Sequence, residues 1–425
     1  MLKNKRIAVI GLGYVGLPLL VELSKKYSVK GFDLSKNRIS QLKKLKDITN
    51  EVSSKDLRDL KACLTHDQKK IEEENVYILT VPTPINKKRE PDLMPLKNAC
   101  INIGKILKKN DLVIFESTVY PGLTEEFCVP LLEKESGLYL NTDFFVGYSP
   151  ERINPGDNKR KLTDIKKITS GSNAEALKVV DGIYKSIIKA GTYPVKSIKV
   201  AEAAKVIENT QRDINIALVN ELSLLFKRLD IDTNEVIDAA ATKWNFLDFR
   251  PGLVGGHCIG VDPYYLTYKA KKVGFEPKMI LSGRQTNESI PHYISKNLLD
   301  DLKKKKIKYK DAHILILGLT FKEDCPDMRN SKVKEIYDDL TSKSLKVDVF
   351  DPQAEHSEVL KHYPKKSVLA KIPSKNKRYD SILIAVPHNE FKQLGYKTIK
   401  ALGSNAVLFY DLKETFPKEK VDFKL

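Results

Sequence analysis

The sequence predicts an α/β protein of two doubly wound domains joined by a long central helix and helical region. Three observations carry this expectation. Short apolar runs alternate with helical patterns over the first ~190 residues, as in a parallel sheet covered on both faces. The C-terminal part repeats that plan in degenerate form. Between the two, Ser197 to Leu229 lacks proline and carries a long apolar face, predicting a helix of ~45–50 Å at 1.5 Å per residue.

The elements follow in order. Arg6–Ile10 reads as a strand, followed by Gly11-Leu12-Gly13-Tyr14-Val15-Gly16 and a helix from about Leu17 to Lys26. Val29–Phe32 is a second strand ending at Asp33. Val76–Val81 and Leu112–Phe115 lead into the polar loops Pro82-Thr83-Pro84 and Glu116-Ser117-Thr118, and Phe144–Gly147 leads into Ser149-Pro150-Glu151-Arg152. In the C-terminal part His313–Leu317 runs into Gly318-Leu319-Thr320-Phe321-Lys322, and Lys346–Phe350 ends at Asp351. Ser381–Val386 precedes Pro387, and Ala406–Tyr410 precedes Asp411. These four runs parallel the first four in order and ending. Both halves are therefore read as Rossmann-like, the second without its Gly-x-Gly-x-x-Gly.

A chain of 425 residues calls for two or three domains, divided here as 1–196, 197–305 and 306–425. The five cysteines are odd in number, widely spaced and never in a Cys-x-x-Cys pair, which points to reduced thiols in a cytoplasmic protein and to neither a disulfide framework nor a metal site. The start, Met1-Leu2-Lys3-Asn4-Lys5-Arg6 and an apolar run, mimics a signal peptide, but Gly11, Gly13 and Gly16 break the run in a nucleotide-binding pattern. No apolar run is long enough for a membrane span. The net charge of +18 comes mostly from dispersed lysines without interleaved aromatics. Solvated lysine-rich helices, not a nucleic-acid surface, are expected, with a positive field that draws in anionic substrates.

Two motifs carry chemistry. In the first, Gly11 permits the tight turn, Gly13 lets the backbone approach a pyrophosphate, and Gly16 lets helix and strand pack closely. The helix N-terminus offers amides to the phosphates. Asp33 should accept the ribose hydroxyls and repel a 2′-phosphate, favouring NAD over NADP. The second motif runs Arg250-Pro251-Gly252-Leu253-Val254-Gly255-Gly256-His257-Cys258-Ile259-Gly260-Val261-Asp262-Pro263. A lone cysteine is more often a small buried thiol. Here Gly255 and Gly256 let the backbone crowd a ligand, and Asp262 places an acid nearby. Beside a nicotinamide, a thiol can hold an aldehyde as a thiohemiacetal that is oxidised to a thioester and cleaved by water. At an unperturbed pKa of about 8.5 only ~3% of a thiol is ionised at pH 7, so Cys258 needs a base, of which His257 is a local candidate. Lys205, Asn209 and Arg212 or Asp213 form one stripe on the central helix, which read alone would be a solvated face.

The combination of Gly11-Leu12-Gly13-Tyr14-Val15-Gly16, Val81-Pro82-Thr83-Pro84, Glu116-Ser117-Thr118, Ser149-Pro150-Glu151-Arg152, Glu202-Ala203-Ala204-Lys205 with Asn209, Gly255-Gly256-His257-Cys258 with Asp262, and Gly318-Leu319-Thr320-Phe321-Lys322 with Arg329 resembles the UDP-glucose/GDP-mannose dehydrogenase family along the whole chain. The stretch from Thr242 to Leu266 resembles the branch that oxidises UDP-N-acetylglucosamine or UDP-N-acetylgalactosamine for Vi-antigen and O-antigen synthesis. The UDP-glucose branch typically has Gly-Gly-Ser-Cys-Phe with a lysine before the aspartate, where this chain has His257, Ile259 and Val261.

The resemblance implies roles. Cys258 is the nucleophile, and Lys205, Asn209 and Asp262 hold and activate the sugar C6 oxygen. Thr118 positions water and Glu151 is tied to thioester hydrolysis. NAD would be held by Gly11 to Gly16 (through Leu12, Gly13, Tyr14 and Val15), Asp33, Arg38, Thr83, Ser117, Thr118 and Arg329. The UDP-sugar would meet Glu151, Arg152, Ile153, Lys205, Asn209, Arg212, Gly255, Gly256, Cys258, Phe321 and Lys322, with the C-terminal domain binding the UDP-sugar. Arg250 is the nearest candidate for an arginine that the family borrows from the neighbouring subunit of a homodimer. The expected activity is four-electron oxidation of a UDP-N-acetylhexosamine to its uronic acid, with no metal, for surface polysaccharide such as capsule. The alternatives are UDP-glucose 6-dehydrogenase and a non-catalytic nucleotide-sugar-binding protein.

Overall fold

The computed structural model describes residues 4–86, 88–153, 160–373 and 379–425. Met1, Leu2 and Lys3 of the basic start lie outside them. The chain divides into two compact units, Met1–Glu208 with Tyr264–Glu276 and Asn209–Pro263 with Pro277–Leu425.

The first unit is built on eight strands: β1 (Arg6–Ile10), β2 (Ser28–Phe32), β3 (Ala62–Thr65), β4 (Val76–Leu79), β5 (Leu112–Phe115), β6 (Phe145–Tyr148), β7 (Lys167–Gly171) and β8 (Thr192–Pro194). Their order is β3-β2-β1-β4-β5-β6-β7-β8. β1 pairs in parallel with both β2 (Ile7↔Val29) and β4 (Ile7↔Val76), so the chain reverses its direction of travel there. That reversal opens a crevice beyond the carboxyl ends of the strands, where doubly wound folds bind ligands. β4 and β5 are buried at every position, which is why they read as unbroken apolar runs. The first helix, Gly16–Ser24, buries Leu17, Leu20 and Leu23 against β1 and β2. Each such side chain contributes about 1.5–3 kcal/mol of burial.

Three strands depart from the sequence expectation. β3 is a short edge strand, β8 lies at the other edge, and β7 runs antiparallel to β6 through Gly147↔Gly171 and Tyr148↔Ser170. β7 reads Lys-Ile-Thr-Ser-Gly, and its buried residues are largely polar, so no hydrophobic pattern announces it.

The second unit holds a four-stranded parallel sheet of β9 (His313–Leu317), β10 (Lys346–Phe350), β11 (Tyr379–Ile384) and β12 (Gly403–Asp411), ordered β10-β9-β11-β12. This repeats the order β2-β1-β4-β5 of the first unit, as the degenerate repeat predicts. Strand alternation splits β9 between two cores. Ile314 and Ile316 pack with Ile290, Ile294, Leu298 and Leu302 of helix Lys278–Lys304, while Leu315 and Leu317 pack on the opposite face with Phe391 and Phe409. The central helix runs from Ile198 to Arg228, within a residue of the predicted bounds at each end. Among the described residues, no helix is long and apolar enough to cross a membrane.

Candidate active site

In the first unit the glycine loop sits between β1 and the first helix. Gly11 adopts φ +93°, a backbone state that side chains other than glycine's disfavour. A Cβ on Gly16 would lie 1.9 Å from the Gly11 carbonyl oxygen, whereas one on Gly13 would meet nothing within 4 Å. Gly16 thus serves internal packing, and Gly13 leaves open space for a ligand. The first helix follows its N-cap Val15 without a side-chain cap; Leu17 N donates to the Gly13 carbonyl at 3.1 Å and Pro18 carries no N–H, so phosphate oxygens would be met by amides of the loop ahead of them.

Asp33 closes the loop from β2. One carboxylate oxygen accepts from Leu12 N at 2.9 Å and the other from Ser35 N at 2.8 Å. Arg38 is buried and acts as a brace: Nε donates to the Leu12 carbonyl at 2.8 Å and a terminal nitrogen to Asp47 at 2.8 Å. These features fit a dinucleotide such as NAD.

The loops after β4, β5 and β6 are laced together by side chains. Thr83 Oγ1 donates to the Thr118 carbonyl at 2.7 Å and Ser117 Oγ to the Val81 carbonyl at 2.6 Å. Buried Tyr265 donates to the Thr83 carbonyl at 2.7 Å. The central helix is pinned to the same end of the unit by Glu202, whose carboxylate accepts from Gly122 N at 2.5 Å and Thr124 N at 2.9 Å. Burial pushes its carboxyl up to about 7, against these hydrogen bonds. One turn on, Lys205 Nζ stands 4.0 Å from Glu151 Oε2, both side chains buried. Arg152 donates to the Lys166 carbonyl and pairs with Glu208 at 2.7 Å, and Ile153 packs on the sheet core.

In the second unit Cys258 lies in a half-exposed turn closed by Val261 N and Asp262 N, both donating to its carbonyl. Buried Asn209 donates from Nδ2 to buried Asp262 at 2.6 Å. Arg212 is exposed and makes a long 3.4 Å contact with Asn209 Oδ1, whereas Asp213 is buried and paired with Arg284 at 2.7 Å. Most of the predicted stripe is therefore buried rather than solvated. Below the turn, Asn220 grips Gly252 through both its N–H and its carbonyl, and Asn287 joins Asn220 to Asp213.

The glycines before Cys258 are explained by their neighbours. A Cβ on Gly256 would fall 2.7 Å from the Phe321 ring, and one on Gly255 would fall 2.7 Å from the Asn330 carbonyl. His257, the base the sequence offers next to the thiol, sets its ring in a T-shaped arrangement with Phe321 and its Nδ1 3.5 Å from Asp327. Arg329 grips the same carboxylate at 2.6 to 3.0 Å. Burial opposes ionisation of Asp327, but hydrogen bonds from His257 and Arg329 outweigh it and hold the carboxyl well below the usual range. Arg250 pairs with Asp248 and Asp238 of its own chain. The Lys322 carbonyl accepts from Thr320 Oγ1, leaving its side chain partly exposed beyond the turn after β9.

The second unit retains the acid of a Rossmann half while closing its site. Asp351, at the end of β10, accepts from Leu319 N and Thr320 N as Asp33 accepts from Leu12 N. It also accepts from Gln353 N and Ala354 N and meets buried His388 at 3.0 Å, so the carboxylate that would read a ribose is spent internally.

The sequence matches the UDP-glucose/GDP-mannose dehydrogenase family over all three of its domains: the NAD binding domain at residues 5–188, the central domain at 199–289 and the UDP binding domain at 315–418. It is 52% identical to the UDP-N-acetyl-D-glucosamine 6-dehydrogenase of Salmonella typhi over 99% of this chain and 98% of that one. It is also 52% identical to the enzyme of the same name from Pseudomonas aeruginosa over the full length of both, and 50% identical to protein CapL of Staphylococcus aureus over 92% and 91%. The solved UDP-D-ManNAc dehydrogenase of Pyrococcus horikoshii aligns with TM-score 0.86 at 30% identity, covering 98% of this chain and 97% of that one. The chain belongs to the UDP-glucose/GDP-mannose dehydrogenase family.

Proposed function

We propose that this enzyme oxidises the C6 alcohol of a UDP-N-acetylhexosamine, with N-acetylglucosamine or N-acetylgalactosamine as the sugar, to the uronic acid. The observation that carries the reading is full-length 52% identity to two enzymes named for UDP-N-acetyl-D-glucosamine, together with retention of Cys258, Lys205, Asn209 and Asp262. The same retention argues against a non-catalytic binding protein. Bound NAD supplies the hydride acceptor for each of two oxidations. Arg38 and Asp33 hold the glycine loop that receives it, and the family resemblance assigns Arg329 to its pyrophosphate.

The chain's own groups do the rest. Lys205, Asn209 and Asp262 hold the C6 oxygen, and as the alcohol becomes an aldehyde its proton passes to Lys205, while the Asn209 amide only hydrogen-bonds. The Asn209–Asp262 hydrogen bond sets the direction of both side chains. Cys258 Sγ adds to the aldehyde carbon, and oxidation of that thiohemiacetal leaves a thioester on Cys258. Water positioned by Thr118 then attacks: its oxygen bonds to the acyl carbon and the C–S bond breaks with its electron pair on sulfur. One proton restores the thiol and the other departs through Glu151.

The three-part division at 196/197 and 305/306 is retained, with the last part binding UDP. Phe321, packed on Gly256, and Lys322 lie in that part. A homodimer is supported by Val200, Ile207, Leu218 and Leu225, exposed along the central helix, and by Trp244, 91% exposed. Apolar surface of this kind is usually covered by a partner. A cytoplasmic setting and a role in surface polysaccharide synthesis complete the reading.

The test is NADH production from UDP-glucose and from the UDP-linked N-acetyl derivatives of glucosamine, galactosamine and mannosamine in parallel. An acetamido pocket leaves polar groups unpaired when the group is missing, so kcat/KM for a UDP-N-acetylhexosamine should exceed that for UDP-glucose by at least about tenfold. A preference for UDP-glucose would establish the alternative.

A further inference from the structure

The mechanism above leaves unused a buried ion pair of the first unit. Lys167, the first residue of β7, is 2% exposed, and Glu116, directly after β5, is 1% exposed. Lys167 Nζ donates to Glu116 Oε2 at 2.6 Å and to the Pro150 carbonyl at 3.0 Å. Glu116 Oε1 accepts from Tyr184 at 2.5 Å, and the Lys167 ammonium lies 5.1 Å from the centre of the Tyr184 ring. Tyr184 is fully buried, and burial together with Glu116 raises its pKa well above the ordinary tyrosine value, so the hydroxyl stays a donor.

Removing an ammonium and a carboxylate from water costs several kcal/mol each, and such a pair is weak evidence for stability alone. What it does here is geometric. Glu116 immediately precedes Ser117 and Thr118, and Pro150 immediately precedes Glu151. One ammonium thus grips two loops at the residues just ahead of the two groups assigned to water. Short bonds around it limit slack. Ser149 Oγ donates to the Ile168 carbonyl at 2.6 Å, Ser170 Oγ to the Tyr148 carbonyl at 2.7 Å, and Tyr148 Oη to the Ser117 carbonyl at 3.2 Å.

We infer that Lys167 is a positioning residue for the hydrolytic half of the reaction: held between Glu116 and the Pro150 carbonyl, it sets the separation of the loops carrying Thr118 and Glu151. The inference rests on the reading above that these two residues handle the water that cleaves the Cys258 thioester. Loosening the clamp should slow that cleavage and leave both oxidations, which depend on Lys205, Asn209 and Cys258, largely in place.

The experiment uses full-length protein with NAD and UDP-N-acetylglucosamine. Lys167→Met combined with Glu116→Gln removes both charges together, so no carboxylate is left buried and unpaired. It should show an intact burst of about two NADH per active site, a steady-state rate lowered at least about tenfold, and acyl-enzyme on Cys258 by intact mass. Lys167→Arg, which retains the cation, should restore hydrolysis to within about threefold of wild type. Tyr184→Phe removes only one hydrogen bond to Glu116 and should give a smaller slowing of the same step, which keeps the test decisive if the double variant does not fold. Burst and steady state falling in parallel without adduct, in either folded variant, would reduce Lys167 to a structural residue and overturn the inference. Wild-type enzyme yielding no NADH from any UDP-N-acetylhexosamine would instead remove the reading beneath it.

Discussion

Gly13 and Gly16 stand three residues apart in one loop, yet the structure assigns them opposite reasons for being glycine. A Cβ at position 16 would sit 1.9 Å from the Gly11 carbonyl oxygen and 2.4 Å from Thr80 Oγ1. Comfortable non-bonded separations are about 3.5–4.0 Å, so the overlap exceeds an ångström and falls partly on backbone. Overpacking of this kind costs ~1–3 kcal/mol or more. The better helix preference of alanine returns about 0.5–1 kcal/mol. Gly16→Ala should therefore lose roughly 1–2 kcal/mol, seen as a fall of about 2–8 °C in the melting temperature of the apo protein. A Cβ at position 13 meets nothing within 4 Å, and Gly13 is not among the glycines with positive φ. Gly13→Ala should melt at the wild-type temperature or slightly above it, since alanine narrows the unfolded ensemble by about 0.4–1 kcal/mol. Its cost should fall on the cofactor, with KM for NAD rising at least about tenfold as the methyl group obstructs the pyrophosphate. Thermal unfolding without NAD and initial rates across NAD concentration separate the two effects. Equal destabilisation by both substitutions, or Gly13→Ala with unchanged NAD affinity, would refute the reasoning.

Three further outcomes follow from individual side chains. Asp33→Ala should narrow the ratio of kcat/KM between NAD and NADP, because the carboxylate repels a 2′-phosphate; equal use of both cofactors by the wild type would show that Asp33 does not discriminate. Cys258→Ala should abolish acid formation while NAD and UDP-sugar still bind, and Cys258→Ser should trap a slowly hydrolysed ester visible by intact mass. Acid formed by Cys258→Ala at a near wild-type rate would exclude the thioester route. Burial raises the Glu202 carboxyl from its ordinary 4.5 to about 7, so the folded chain keeps a proton that the unfolded chain has released between these values. That contribution to stability is complete below the lower value and declines as pH rises through the upper one. The melting temperature of wild type relative to Glu202→Gln should therefore fall between about pH 5 and 7.5, and a difference independent of pH would contradict the assignment.

Much of this protein is determined by local sequence. β1, β5, β9 and β10 have the bounds read from the sequence, and the first three, paired on both sides, owe their apolar runs to burial on both faces. The glycine loop, Asp33 and the Cys258 turn are equally legible, since each is a contiguous stretch whose residue types are dictated by backbone conformation or by ligand approach. β7 is not legible in this way. Its residues satisfy their polar groups on neighbouring strands, so Lys167 looks like one more surface lysine among many. Nor can spacing show that Asn209 hydrogen-bonds to Asp262, 53 residues away, or that His388 occupies the acid that ends β10 in the degenerate half. Periodicity reports which residues are inside, because burial follows the local period of helix or strand. Which buried polar group meets which depends on strand order and loop path, and the free energy of leaving such a group unpaired is realised only once the tertiary fold has closed around it.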